Sequence, residues 1–201
     1  MKLVELLEKF NLNADFLNNG YAVGGTDKNS CHSYIENFYE EEFKKYQKRK
    51  ISLLEVGIET GGSLKLWKEY FTNSKSIVGV DISDDKLDPN YSNMDGVDIH
   101  ICNGYDGITS ENFGTFDIII DDGPHTLESQ LKFIELYLQK LKKGGVFIIE
   151  DVQNIGHFDA LIDKAREVSD GIDNDYEYEV ECIDLREKKG RWDDLIFVVR
   201  S

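Results

Sequence analysis

The sequence predicts an α/β fold: a seven-stranded, mostly parallel sheet with one antiparallel strand and helices on both faces. After Lys50, short apolar runs alternate with stretches of helical periodicity, the pattern of βαβ units with right-handed crossovers. The last two apolar runs are separated only by REKKGRWDD (Arg186–Asp194), which is too short for a parallel crossover and turns the chain antiparallel. The composition is that of one packed domain: 201 residues, 40% hydrophobic, 11% aromatic and 2 prolines.

Taken in order, Leu3, Leu6, Leu7 and Phe10 recur at helical spacing and predict a helix from Met1 to about Asn18. Tyr34, Phe38, Phe43 and Tyr46 predict a second over Ser33–Lys48. Between them GYAVGGTDKNS (Gly20–Ser30) is rich in turn formers and reads as a binding loop that ends in an N-cap at Ser30 or His32. Residues 1–50 are thus expected to form a short helical lid, and residues 51–201 the core of the same domain. Strands are expected at Ile51–Val56, Ile77–Ile82, Val97–Cys102, Phe116–Asp121, Val146–Glu150, Tyr176–Ile183 and Leu195–Arg200. Helices are expected at Ser63–Tyr70, Thr126–Leu141 and Phe158–Val168.

Charge narrows the partners. With 23 Lys and Arg against 39 Asp and Glu the net charge is −16, which repels phosphate backbones and anionic lipid, so neither nucleic acid nor a membrane is an expected partner. No apolar run approaches the ~18 residues of a membrane helix. The first residues carry Glu5 and Glu8 where a signal peptide is basic and then continuously apolar, so a cytoplasmic location is expected. Cys31, Cys102 and Cys182 have no metal-binding spacing and are expected as reduced, mostly buried thiols.

In open α/β sheets ligands bind beyond the carboxyl ends of the strands, and here those ends are acidic. The first core strand runs into LLEVGIETGGSL (Leu53–Leu64), which carries Glu55, Gly57, Gly61 and Ser63, and the second ends at Asp81. Glycines let backbone approach a ligand, and a carboxylate closing the second strand accepts hydrogen bonds from a ribose diol. The dinucleotide pattern G-x-G-x-x-G needs Gly where Glu59 stands, and a carboxylate there opposes a pyrophosphate. S-adenosylmethionine, with a ribose and a cationic sulfonium but no phosphate, suits this loop better. A tight strand-to-helix turn without a ligand is the structural alternative for the glycines. Asn103 and Asp106 follow the third strand, where they either lie near the adenine or simply form the turn NGYDG.

Asp121, Asp122 and His125 follow the fourth strand in IIIDDGPH, and Glu150 and Asp151 close the fifth in IIED. Four carboxylates side by side raise one another's pKa and cost stability unless a cation compensates. A hard divalent ion such as Mg²⁺ is the natural one. One of the two residues Asp121 or Asp151 serving instead as a helix cap is the plain structural alternative.

These segments, with GTDKNSCHSY (Gly25–Tyr34), VGVDI (Val78–Ile82) and GGVFIIEDVQ (Gly144–Gln153), resemble the class I S-adenosylmethionine-dependent methyltransferases. The resemblance is specifically to metal-dependent sugar O-methyltransferases of the mycinamicin type, related to the cephalosporin hydroxylase-like family. It implies a Rossmann-like sheet and a divalent metal on Asp122, Glu150 and Asp151. It also implies His125 as general base and loop residues Asp27, Lys28, His32 and Tyr34 folded over cofactor or substrate. The chain departs from the usual DDGSH by Pro124, which stiffens the turn. Trp67 is expected as packing, and Arg191 and Trp192 either reach the mouth of the site or face solvent.

The function expected is O-methylation of a hydroxyl on a sugar, nucleotide sugar or glycoside, using S-adenosylmethionine and Mg²⁺ or another divalent cation. A catechol-like diol acceptor and a non-catalytic cofactor-binding homologue are the alternatives. Homo-oligomerisation is left open: the apolar N-terminal helix packing on a second copy is one way to close the site.

Overall fold

The computed structural model describes residues 1–13, 15–17, 21–172 and 177–201. Helix α1 (Leu3–Lys9) is followed by a small antiparallel pair, β1 (Asp15–Leu17) and β2 (Tyr21–Val23). A continuous helical segment then tightens along its length, from π winding at Ile35–Tyr39 through α2 (Glu40–Glu42) to a 3₁₀ turn at Phe43–Lys45. The core comprises β3 (Ser52–Val56), α3 (Gly62–Tyr70), β4 (Ser76–Asp81), β5 (Val97–Ile101), α4 (Gly107–Glu111), β6 (Phe116–Asp121) and α5 (Leu127–Tyr137). It continues with β7 (Leu141–Ile149), α6 (His157–Asp170), β8 (Glu179–Asp184), α7 (Arg186–Lys189) and β9 (Leu195–Arg200).

The seven core strands are ordered β5-β4-β3-β6-β7-β9-β8, and β9 runs opposite to the other six. The expected mostly parallel, seven-stranded sheet is therefore present. Strands β3 and β6 are buried along their whole length, as continuous apolar runs in a sheet covered on both faces require. The chain leaves β3 toward one edge through β4 and β5, then returns to place β6 on the other side of β3. That reversal opens a crevice at the carboxyl ends of β3 and β6.

One apolar layer joins α1 and the segment Ile35–Lys45 to α3: Leu3, Leu7, Tyr39, Phe43, Trp67 and Phe71 are fully buried together. The opposite layer packs Phe133, Ile134 and Tyr137 of α5 and Leu161 of α6 on Phe147 and Phe197.

Several expectations are corrected. The first helix stops at Lys9 rather than near Asn18, because Asn11 takes a left-handed φ of 52° and turns the chain into β1. The expected loop over Gly20–Ser30 contains strand β2; Asn18 and Gly20 lie outside the described residues. Neither Ser30 nor His32 caps the second helical segment, whose flanking residue is Tyr34. Strand β7 begins at Leu141, five residues before the expected Val146, with an irregular register against Phe116–Ile118. Tyr176, the expected start of the sixth strand, lies outside the described residues, and β8 begins at Glu179. The cysteines are free, but Cys31 and Cys102 are only half-buried and Cys182 is exposed. No helix among the described residues is long and apolar enough to cross a membrane.

Candidate active site

A cavity of 660 Å³ lies at the carboxyl ends of β3, β4 and β6, walled on one side by Gly25, Thr26 and Asp27. Its floor is the turn after β3. Gly57 has φ 88°, and a Cβ there would sit 2.0 Å from the Asp122 carbonyl oxygen, so only glycine lets the two strand exits cross. Asp81 organises the same turn: its Oδ2 accepts from the amides of Ile58 and Glu59, both at 2.9 Å. Gly57, Ser63, Asp81 and Asn103 all line the cavity.

Three residues expected beside the cofactor are elsewhere. Glu55 is fully buried beneath the floor, where its Oε2 accepts from Ser63 Oγ at 2.9 Å and from Trp67 Nε1 at 3.0 Å. Burial pushes its carboxyl up to about 7. Gly61 does not line the cavity but flanks the start of α3. Asp106 is the N-cap of α4, accepting from the Ile108 amide at 3.1 Å, which is the turn reading of NGYDG.

The acidic strand ends divide into two groups. Asp122, His125 and Asp151 face the cavity, and each offers a ligand atom within 4.8 Å of the others. His125 Nε2 stands 3.9 Å from Asp122 Oδ1 and 3.7 Å from Asp151 Oδ2. An oxygen-rich set of this kind suits a hard divalent cation, with room on the cavity side for further oxygen ligands. Burial raises the Asp151 carboxyl to about 6, against the opposing pull of His32 and His125.

Glu150 is not brought to that group. Its carboxylate is buried behind the wall, where it accepts from the Tyr39 hydroxyl and from Lys28 Nζ. Lys28 is 1% exposed and also bonds Asp122 Oδ2 at 2.6 Å, with Glu55 Oε1 3.4 Å away. Burial alone would depress its ammonium, but Asp122, Glu150, Glu55 and Asp27 together hold it well above the ordinary lysine value. Asp121 turns to the opposite side and accepts from the Tyr105 hydroxyl; burial lifts it to about 7. Neither Asp121 nor Asp151 caps a helix, because Thr126 caps α5 and Gly156 precedes α6.

The loop residues Lys28, His32 and Tyr34, expected over cofactor or substrate, instead bind these carboxylates, and sequence reasoning missed the further partners Tyr39, Tyr105 and Asp194. Tyr34 donates to Asp151 Oδ1 at 2.5 Å and stacks on His32, whose Nδ1 lies 2.6 Å from Asp194 Oδ1. Tyr39, Tyr105 and Asp194 were readable only as packing or loop residues. The available signal was tyrosine rather than phenylalanine on a buried stripe, since a buried hydroxyl needs a partner. Glu59, His125 and Asp151 have φ of 42°, 57° and 52°, and all line the cavity. Backbone held in this sparsely populated region clusters at functional sites. Trp67 is core packing, while Arg191 pairs with Asp193 and Trp192 is 60% exposed; neither of the last two lines the cavity.

No family model matches the chain. Among curated proteins, it is 29% identical over 140 residues to the 8-demethyl-8-(2-methoxy-alpha-L-rhamnosyl)-tetracenomycin-C 3'-O-methyltransferase of Streptomyces olivaceus, covering 63% of this chain and 34% of that protein. It is 31% identical over 129 residues to the mycinamicin VI 2''-O-methyltransferase of Micromonospora griseorubida, covering 57% of this chain and 30% of that protein. The chain thus spans about a third of the length of the curated relatives it matches. Among solved structures, the MycE methyltransferase of the mycinamycin biosynthetic pathway, in complex with Mg, SAH and mycinamycin VI, superposes with TM-score 0.67 at 20% identity. That match covers 100% of this chain and 54% of MycE. The chain has the Rossmann-like methyltransferase fold, and its sequence is similar to that of sugar O-methyltransferases.

Proposed function

We propose that the protein is an S-adenosylmethionine-dependent, divalent-metal-assisted O-methyltransferase acting on a hydroxyl of a sugar or sugar-containing metabolite. The observation that carries this reading is the Asp122–His125–Asp151 group opening into the same cavity as the Gly57 turn and Asp81. The sugar O-methyltransferase relatives support the acceptor class, and the Mg and SAH bound by MycE support the cofactors.

Gly25, Thr26 and Asp27, from the part of the chain expected as a lid, line one side of the cavity. Asp81 takes the ribose diol at the end of β4, and Gly57 lets the nucleoside lie against backbone. Asp122 and Asp151 hold a divalent cation, whose chemistry when bound is to orient acceptor oxygens and lower the pKa of the reacting hydroxyl. His125 receives the hydroxyl proton at a ring nitrogen. The oxygen pair then forms the C–O bond as the methyl–sulfur bond breaks, leaving S-adenosylhomocysteine. The cavity walls contribute orientation and exclusion of water.

Calorimetric titration of S-adenosylmethionine with and without Mg²⁺, against NAD as control, tests the cofactor. Binding of the first and not the second is expected, followed by methyl transfer to sugars in preference to catechols. Binding of NAD alone would overturn the reading.

A further inference from the structure

The chain has two tryptophans; Trp67 is fully buried, whereas Trp192 is 60% exposed on the turn between α7 and β9. That turn is fixed on both sides of the indole. Arg191 donates to both carboxylate oxygens of Asp193, at 3.0 and 2.9 Å, and its Nη1 lies 3.1 Å from Cys31 Sγ. Asp193 and Asp194 are buried, and Asp194 accepts from Ser33 Oγ at 3.2 Å. The turn is also tied to Asp151. The Tyr34 hydroxyl that donates to Asp151 lies 3.1 Å from the Asp193 carbonyl oxygen, and His32 Nδ1 stands 2.6 Å from Asp194 and 3.3 Å from Asp151. The Val152 amide donates to the Leu195 carbonyl at 3.1 Å, which aligns the exit of β7 with the entry to β9. Ile155, 50% exposed, therefore leaves the same end of the sheet as Trp192, on the neighbouring strand. Asp81 and the Gly57 turn belong to β4 and β3, whereas β7 and β9 lie beyond β6, on the far side of the Asp122–His125–Asp151 group.

We propose that Trp192, with Ile155 beside it, is the platform for the acceptor: the indole takes the C–H face of the acceptor ring while the ring's hydroxyls turn toward His125 and Asp151. The proposal rests on the methyltransferase reading and deepens it by naming the residue that selects the acceptor. A pyranose with equatorial hydroxyls presents a face of C–H bonds, and their positive edge matches the negative face of an aromatic ring. Burying that face removes apolar surface from water without leaving a hydroxyl unpaired. An indole on a fixed turn loses little side-chain freedom when the sugar arrives, so its stacking goes into affinity. The cofactor occupies the β3 and β4 side of the reacting group, and the platform serves the other.

Because Trp67 is buried, acrylamide quenching of the intrinsic fluorescence reads Trp192. Quenching is measured with Mg²⁺ and S-adenosylhomocysteine as methyl glucoside, methyl galactoside, methyl fucoside or catechol is added, and turnover of each is measured with S-adenosylmethionine. A methylated glycoside is expected to shield Trp192. Trp192→Ala should raise its KM by about three- to tenfold, with kcat and the Kd for S-adenosylmethionine within about twofold. Trp192→Phe, which keeps an aromatic face, should recover most of the loss. A methylated glycoside that leaves quenching unchanged, or a KM unmoved in Trp192→Ala, would overturn the platform and leave the methyltransferase reading standing. Shielding by a glycoside that is never methylated would keep the platform and sink the transfer reading. Shielding and methylation of catechol alone would keep the platform and sink the sugar acceptor. No shielding by any of the four would overturn the proposal. Shielding that grows with chain concentration before any acceptor is added would assign the indole to a second copy and overturn it as well.

Discussion

Glu55 and His125 show how the same fold asks opposite things of two titratable side chains. Glu55 is fully buried and its carboxyl is raised to about 7, chiefly by burial. A carboxyl whose folded pKa exceeds its unfolded one binds more protons in the folded state between the two values. Its contribution therefore falls as pH rises from about 4.5 to about 7 and stays low above that. Glu55→Gln still presents an oxygen to Ser63 and Trp67 and has no charge to bury. The variant should gain stability over wild type as pH goes from 5 to 8, by on the order of 3 kcal/mol, read from urea melts at the two pH values. A constant difference would show that the Glu55 carboxyl is not raised by the fold. His125 is 29% exposed and faces the cavity with φ 57°. His125→Asn tolerates that backbone and cannot serve as the base. It should lower kcat by roughly 10²–10⁴ while the Kd for S-adenosylmethionine stays within twofold, as measured by steady-state kinetics and calorimetry. Full turnover would remove His125 from the proton transfer.

The N-terminal elements reach the cavity through two close backbone passages. A Cβ on Gly25 would lie 2.1 Å from the Leu12 carbonyl oxygen, and one on Gly62 would lie 2.1 Å from the Gly25 carbonyl carbon. The start of α3, the segment carrying Thr26 and Asp27, and the chain after α1 are thereby stacked backbone on backbone. Thr60 Oγ1 donates to the Gly25 carbonyl at 2.7 Å and fastens the stack. Gly62→Ala must push the segment outward, at a cost of about 1–3 kcal/mol for an overpacked site. Thermal melting should show the loss, and the Kd for S-adenosylmethionine should rise because Thr26 and Asp27 line the cavity. An unchanged Kd would mean that this wall does not touch the cofactor. This passage was not legible in the sequence. The helical periodicity of Leu3 to Phe10 was clear, but the left-handed Asn11 that ends it, and the strands that follow, depend on what the segment meets in space. The core strands were legible because each is a short apolar run closed by turn formers, and β6 and β9 fall at the residues expected.

Over the whole molecule the charge of −16 is not evenly compensated, and a compact chain with that excess repels itself. Salt screens such repulsion over a Debye length of about 10 Å at 0.1 M. The thermal midpoint should therefore rise when NaCl goes from about 20 to about 300 mM, the Debye length shrinking below charge spacings on the surface. A midpoint that falls would show that paired charges, such as Arg200 with Glu42 and Glu181, outweigh the net repulsion.

The sequence by itself determined the alternation of strands and helices, the single antiparallel strand, and the acidic character of the strand ends where a ligand binds. Only the tertiary structure decided which carboxylates act together. Glu150 and Asp151 are adjacent in the chain, yet one is held behind the wall by Lys28 and Tyr39 while the other faces His125 and the cavity. Both lie past the end of β7 and Asp151 takes a left-handed φ of 52°, so the chain turns between them and adjacency in sequence says little about which cluster each joins. Lys28 lies 94 residues from Asp122 and 122 from Glu150, and no local pattern signals that meeting. That meeting was fixed by the path of the N-terminal segment across the sheet.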